Sequence, residues 1–359
     1  MRILMISTDR NLCKAGSQSR LRLEKYAAGA GEIDVILFSL RSRKLAPVDN
    51  SRVRIYPTNS LWRVFYMRDA LHVARTLAKP DVVTAQDPFE AGLAGMRIAK
   101  HFAVPLHVQV HTNFLAPSFI RRHFPLNFIR FYIAGFVLPY AARVRTVSNS
   151  IRDALVKKYH PTSPPSVLPI FVDVQKYKHA LAPESLKAKF AKFERKVLVV
   201  SRLESEKNVD LAIHAFAEVG ADNACLIIVG SGSEQASLER HAREHDLLDG
   251  RIFFEGFQDP TPYYKIADVA LFPSDSYDGY GMVIIEALAA GIPVVSTDVG
   301  VAREAGAIIA APTHFAHVLA QLLEAPKEEI VLKNYPYASE VQYVREWVAD
   351  VAAAASQKP

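Results

Sequence analysis

The chain is poor in cysteine, with Cys13 and Cys225 the two among 359 residues. That excludes a disulfide framework and makes a reducing compartment the simpler setting. It also lacks an apolar run long enough to cross a bilayer. The best stretch, Phe131 to Leu138, is short, is expected to stop at Pro139, and is flanked by Arg130 and Arg143. A signal-peptide core is missing too: Ile3 to Ile6 is followed at once by Thr8, Asp9 and Arg10, and reads as a buried first strand. These absences together predict a cytoplasmic protein. There is no G-x-G-x-x-G, no Walker A sequence, and no D-x-D pair to hold a metal ion. One further absence is local. From Ala91 to Arg152 there is no carboxylate, although Lys and Arg are frequent there.

What is present is a globular composition, 50% hydrophobic, at a length that suits two domains. The net charge of +6 conceals an asymmetry, with +15 from Met1 to Leu168 and −9 in the remainder. A basic half points to an anionic partner: a membrane, a nucleic acid or a phosphorylated substrate. No RNA- or DNA-binding motif accompanies it, so no nucleic acid partner is expected.

Short apolar runs alternate with amphipathic stretches. Strands are expected at Arg2–Ser7, Asp34–Ser39, Val53–Pro57, Asp81–Ala85, Leu106–His111 and Arg143–Val147, with helices at Ser19–Ala30, Leu61–Lys79, Phe89–His101 and Ser148–Tyr159. Such alternation predicts a parallel sheet covered by helices. A proline-rich break at residues 160–166 follows, and the pattern then restarts, with strands near 196–200, 225–229, 251–254, 269–272 and 293–296. The helices of this second half are expected at 208–219, 234–245, 262–266 and 282–290. The expected domains are 1–168 and 169–339, with an alanine-rich helix in 340–359. Ligands of doubly wound sheets sit at the carboxyl ends of the strands, so the loops after the strands carry the candidate site.

The loop after the first strand contains Gly16 and enters a helix, whose N-terminal amides suit a phosphate; an ordinary capped loop is the plainer alternative. After the strand at 196–200, Arg202 and Lys207 lie on one loop ahead of a helix. Two cations there can hold a diphosphate and stabilise it as it leaves; two solvated surface charges are the alternative. The most informative segment runs Pro273-Ser-Asp-Ser-Tyr-Asp278-Gly279-Tyr280-Gly281-Met282 and on to Glu286. Its glycines let backbone approach a ligand. Glu286 falls one turn into an otherwise apolar helix and needs a partner, for which a ribose diol is a candidate.

The segments around Arg202, Lys207, Asp278 and Glu286 resemble family-4 retaining glycosyltransferases. That family has a Gly/Ser-Arg-Leu loop with a following lysine, then a Glu-x7-Glu motif that ends in a Pro-Val-Val strand. The likeness extends to Gln86-Asp87-Pro88-Phe89, His111, Val147-Ser148, Phe171-Val172-Asp173, Gly230-Ser-Gly232 and Gly256. It implies an α/β fold of the GT-B type, two Rossmann-like domains facing each other across a cleft, with the C-terminal helix crossing back to the first domain. It implies retention and no essential metal or other cofactor. Arg202 and Lys207 would hold the donor diphosphate, and Glu286 the nucleotide ribose. Asp278 stands where the family's first glutamate contacts donor-sugar hydroxyls, one methylene shorter. Amides from Gly279 through Tyr280 and Gly281 to Met282 would approach sugar and phosphates. Gly16 matches one glycine of a Gly-Gly loop, with Ala15 in the place of the other. His111 matches a histidine near the donor sugar. On these grounds the catalytic set is His111, Arg202, Lys207 and Asp278.

Asp87 fits either of two roles, a helix cap or a contact to sugar or acceptor. On the acceptor side, residues 113–133 interleave aromatic and apolar side chains with Arg121, Arg122 and Arg130. Such a segment can lie in a membrane interface beside anionic lipids, and a buried helix with a solvated basic face is the alternative. The expected protein is a peripheral enzyme of the membrane's inner face. It takes a hexose from a UDP- or GDP-sugar to a lipid-linked glycan or phospholipid. Three other readings stand beside it: transfer to a soluble sugar, epimerisation of a nucleotide-sugar, and binding without catalysis.

Overall fold

Two parallel sheets organise the chain, each made of short Val/Ile/Leu runs buried on both faces. The computed structural model describes residues 1–161, 163–244, 250–326 and 330–357; the sequence readings at Thr162, His245 and 358–359 lie outside the described residues. The chain divides into two compact units. One holds Met1–Pro169 and Tyr337–Pro359, the other Ile170–Pro336.

The first unit carries β1 (Arg2–Ser7), β2 (Glu32–Leu37), β3 (Val48–Asn50), β4 (Val53–Pro57), β5 (Val82–Ala85), β6 (Leu106–Val110), β7 (Arg143–Thr146) and β8 (Ser166–Val167). Their order is β3-β4-β2-β1-β5-β6-β7-β8, parallel except for β3, which runs antiparallel to β4. The second unit carries β9 (Arg195–Val200), β10 (Ala224–Val229), β11 (Ile252–Gly256), β12 (Val269–Phe272), β13 (Val294–Ser296) and β14 (Ile308–Ile309), ordered β11-β10-β9-β12-β13-β14 and parallel throughout. Continuous burial along β5, β10 and β12 is what a parallel sheet covered on both faces requires. In both sheets the chain winds outward from a central strand and then returns to its other side. Each unit therefore has a topological switch point, between β1 and β5 in the first and between β9 and β12 in the second.

The helix Glu340–Ala355 belongs to the first unit, where it crosses the sheet over β5, β6 and β7. A buried polar network fastens it. Asp350 Oδ1 accepts from Arg143 Nε at 2.6 Å, and Oδ2 lies 3.1 Å from His107 Nε2. An ionised carboxylate only accepts, so Nε2 bears the proton and Nδ1 accepts from Thr84 Oγ1 at 2.8 Å. Thr84 Oγ1 accepts in turn from Gln109, and Gln109 from Arg145. Arg145 also donates to Tyr343, whose hydroxyl meets that of Tyr26. Burial pushes the His107 pKa down, so its ring stays neutral. Burial opposes ionisation of Asp350 as well, but the hydrogen bonds from His107 and Arg143 win and hold its pKa below the usual carboxylate range. Apolar packing completes the seam, with Tyr26 stacked on Trp347 at 4.1 Å.

Several expected elements differ. The helix expected over 61–79 is shorter, Tyr66–Ala74, preceded by a 3-10 turn at Arg63–Phe65; Ser60 is tied into a bridge with Leu40. The 113–133 segment forms two helices, Pro117–Arg121 and Leu126–Tyr140. Pro139 does not stop the second of these, because a proline one residue from the end forfeits a single late hydrogen bond. The helices Val174–Lys178, Glu184–Lys189, Ala302–Ala305 and Phe315–Glu324 lack a counterpart in the sequence reading. Phe315 and Leu319 of the last one are fully buried against the helix Val209–Val219.

Candidate functional site

The switch point of the second unit gathers the loops after β9 and β12. Beyond β9 the chain forms Ser201 to Glu204, a 3-10 turn Ser205–Lys207, and the helix Val209–Val219. The neighbouring loop after β10 supports it closely. Leu203 N–H donates to Ser231 O at 3.0 Å, and a Cβ on Gly230 or Gly232 would strike Ser201 O or Leu203 O at 1.8 and 2.2 Å. Only glycine leaves room there.

Beyond β12 the loop Pro273 to Gly281 leads into the helix Met282–Ala289. Gly281 takes φ +85° at the helix start, the left-handed region that disfavours a side chain. Asp275 N–H donates to Glu206 O at 2.9 Å, which stitches this loop to the one after β9. Lys207 Nζ and Asp278 Oδ2 meet at 2.5 Å, with both side chains 17% exposed. Arg202 is 68% exposed and pairs with Glu206 at 2.9 Å. Both cations of the loop are thus already held by carboxylates. The Ser201 hydroxyl at the mouth of β9 is buried without a hydrogen-bond partner.

Glu286 is 8% exposed, one turn into its helix. The partner sought for it in a ribose is supplied in part by the protein. Tyr264 Oη donates to Glu286 Oε2 at 2.7 Å, and Tyr177 donates as well. The two tyrosine rings meet edge to face at 5.6 Å. Burial raises the Glu286 pKa, and the two phenols act against that rise. Sequence reasoning missed both tyrosines. Tyr264 lies 22 residues from Glu286, and only the sheet brings them together. Tyr280 is buried, and its carbonyl accepts from Val301 N–H at 2.9 Å.

The remaining named residues lie in the first unit. Asp87 follows β5, where Gln86 bridges the switch point by accepting from Ser7 Oγ at 2.8 Å. One Asp87 oxygen accepts from the N–H groups of Phe89 and Ala91 at 2.8 and 3.2 Å, so the cap role is filled. Burial raises the Asp87 pKa to about 6. His111 stands just past β6, where desolvation first, and then the charges of Arg145 and Arg22, lower its pKa. Gly16 takes φ +74° with open space on its Cβ side, and Ser17 caps the helix Gln18–Ala30 by accepting from Arg20 N–H. Arg121 ends the helix Pro117–Arg121, and Arg122 caps it. Arg130 pairs with Glu90 at 3.0 Å rather than facing solvent alone. The outer face here is aromatic: Phe124, Phe128, Ile129, Tyr132 and Phe136 are 42 to 73% exposed. Among the described residues no helix is long and apolar enough to cross a membrane, and no three His, Cys, Asp or Glu side chains gather as metal ligands.

Comparison with known proteins matches residues 21–176 to the model of Glycosyltransferase Family 4 and residues 184–337 to that of Glycosyl transferases group 1. The alpha-monoglucosyldiacylglycerol synthase of Streptococcus pneumoniae is 28% identical over 244 residues, 63% of this chain and 54% of that one. The GDP-mannose-dependent alpha-(1-6)-phosphatidylinositol monomannoside mannosyltransferase of Mycobacterium tuberculosis is 30% identical over 173 residues, 45% of each chain. The chain thus spans about half the length of these relatives. Among solved structures, Anabaena HepE in complex with UDP superposes with a TM-score of 0.70 at 20% identity, covering 100% of this chain and 95% of that one. This likeness gives the fold, two Rossmann-like domains of the GT-B type.

Proposed function

Since the chain belongs to the family-4 glycosyltransferases of group 1, we propose that it moves a hexose from a nucleotide-sugar to a hydroxyl of a lipid-linked glycan or phospholipid, with retention and without a metal. The observation that carries this reading is the switch point of the second unit. There Lys207, Arg202 and Asp278 lie on two adjoining loops, and the buried Glu286 on the helix that follows the second.

In this reading the donor diphosphate takes Lys207 and Arg202 from their carboxylate partners. Glu286, with Oε2 held by Tyr264, offers its other oxygen to the ribose hydroxyls. Asp278, released from Lys207, faces the sugar hydroxyls, and the amides of Gly279 to Met282 receive the phosphates. Charge grows on the leaving diphosphate as the glycosidic bond lengthens, and the two cations stabilise it. The acceptor hydroxyl attacks from the face the diphosphate leaves and gives its proton to the departing phosphate oxygen. In this reading neutral His111 lies near the donor sugar, and Asp87 on the acceptor side. UDP- and GDP-sugars both stand as donors, since one relative is named for GDP-mannose and the solved neighbour holds UDP. The aromatic face of the helix Leu126–Tyr140, next to Arg121 and Arg122, supports work at the anionic inner surface of a membrane.

A panel of UDP-, GDP- and ADP-sugars, read by thermal shift and donor turnover, tests the donor half. One nucleotide should stabilise the protein, and Arg202→Ala and Glu286→Ala should abolish the response. Silence toward every nucleotide would sink the transferase reading. Flotation with anionic vesicles tests the acceptor half, and a protein that stays in the soluble fraction favours a soluble sugar acceptor.

A further inference from the structure

A concavity of about 620 Å³ opens in the first unit between the loop after β1 and the turn after β2. Arg10, Lys14, Arg43 and Lys44 line it, with Asp9 as their one carboxylate. Asp9 serves its own loop, where Oδ1 accepts from Asn11 N–H at 3.0 Å. None of the four cations forms an ion pair among the described residues. Some cations elsewhere in this unit are matched: Arg2 and Arg54 with Glu32, and Arg20 with Glu24.

Both walls are fixed to the fold. Ser17 Oγ donates to Asn11 O at 2.6 Å on one side. On the other, Asn59 donates to Leu45 O at 2.8 Å and Arg41 N–H to Ser60 O at 2.9 Å. Four exposed cations therefore line one hollow against a single carboxylate, Asp9. Folding works against their mutual repulsion, and an anion seated there relieves it. The hollow also lies at the carboxyl ends of β1 and β2, the end of a doubly wound sheet where ligands bind.

We propose that this concavity binds a phosphate group carried by the acceptor, as a lipid headgroup or as a free sugar phosphate. The role as acceptor subsite rests on the glycosyl-transfer reading; the binding of phosphate does not.

The test measures glucose 6-phosphate and glucose binding to the full chain by calorimetry at low salt. Flotation with phosphatidylcholine vesicles, with and without phosphatidylglycerol, runs in parallel. Glucose 6-phosphate should bind and glucose should not, or phosphatidylglycerol should recruit the protein; the first outcome assigns a free sugar phosphate and the second a headgroup. The double variant Arg10→Gln/Arg43→Gln should weaken whichever binding is seen by about tenfold or more, the loss of charge-assisted hydrogen bonds. Lys192→Gln, an exposed cation of the second unit, should change nothing. Nucleotide-induced stabilisation is read on the same samples. If wild type ignores nucleotides but binds phosphate, the transfer reading fails and the site stands. The proposal is overturned if neither phosphate probe binds, or if the double variant binds as wild type does.

Discussion

The two units share one winding and treat charge in the loops that follow their strands in opposite ways. In the second unit each cation of the loop after β9 is paired, Lys207 with Asp278 and Arg202 with Glu206. In the first, the cations of the loops after β1 and β2 surround a hollow unpaired. A pre-paired site holds its groups in place but makes an incoming anion compete for them. An unpaired one attracts anions from a distance, and salt screens that attraction. Under the proposed function, the difference suits a donor seated by replacement of internal partners, and a second substrate gathered by field.

The largest expected effect strikes the paired site. Lys207→Ala removes the cation and leaves Asp278 facing the diphosphate alone. UDP affinity by calorimetry should fall about a hundredfold, the size of a lost charge-assisted contact plus a stranded carboxylate. Retention of wild-type affinity would break the comparison.

Next comes the network that only the first unit possesses. Asp350→Ala strands Arg143 and His107 and should cost about 3 kcal/mol of that unit's stability in urea melts. The second unit's nucleotide-induced stabilisation should persist. The pH sign follows from the depressed pKa of Asp350. Its contribution is present above the ordinary carboxylate range and lost as pH falls, so variant and wild type should converge in acid.

A smaller effect separates pairing by charge from pairing by hydroxyl. Tyr264→Phe takes one donor from Glu286, whose pKa burial has already raised. That pKa should rise further. UDP affinity should drop about tenfold, and its loss on acidification should begin at higher pH than in wild type. An unshifted acid limb would show that Glu286 does not bind in ionised form. The smallest effect has the opposite sign. Asp278→Asn removes the charge partner of Lys207 and should strengthen UDP binding about threefold, while slowing sugar transfer.

Legibility in the sequence followed the physics of each element. Strands buried on both faces announce themselves as runs such as Cys225 to Val229, and those were read to within a residue or two. β8 and β14 have two residues each and take their strand character from a neighbour. The helix Leu126–Tyr140 was hidden because its apolar residues point both inward and outward, which blurs the helical period. Lys207 and Asp278 were both visible as residues 71 positions apart, but their contact exists only where β9 lies beside β12. Tyr264 carried no signal, since a tyrosine in an apolar stretch looks like core until the carboxylate it serves is placed.

The route of the chain also sets an order in time. The second unit is one uninterrupted stretch, Ile170–Pro336, whereas the first needs Tyr343, Trp347 and Asp350 from beyond it. During synthesis the usual sequence, amino-terminal domain first, is therefore inverted. The second unit has all of its residues while the other still exposes the groove of Tyr26, His107 and Arg143. A ribosome paused before the helix Glu340–Ala355 would display a half-finished first unit whose exposed seam is a target for chaperones.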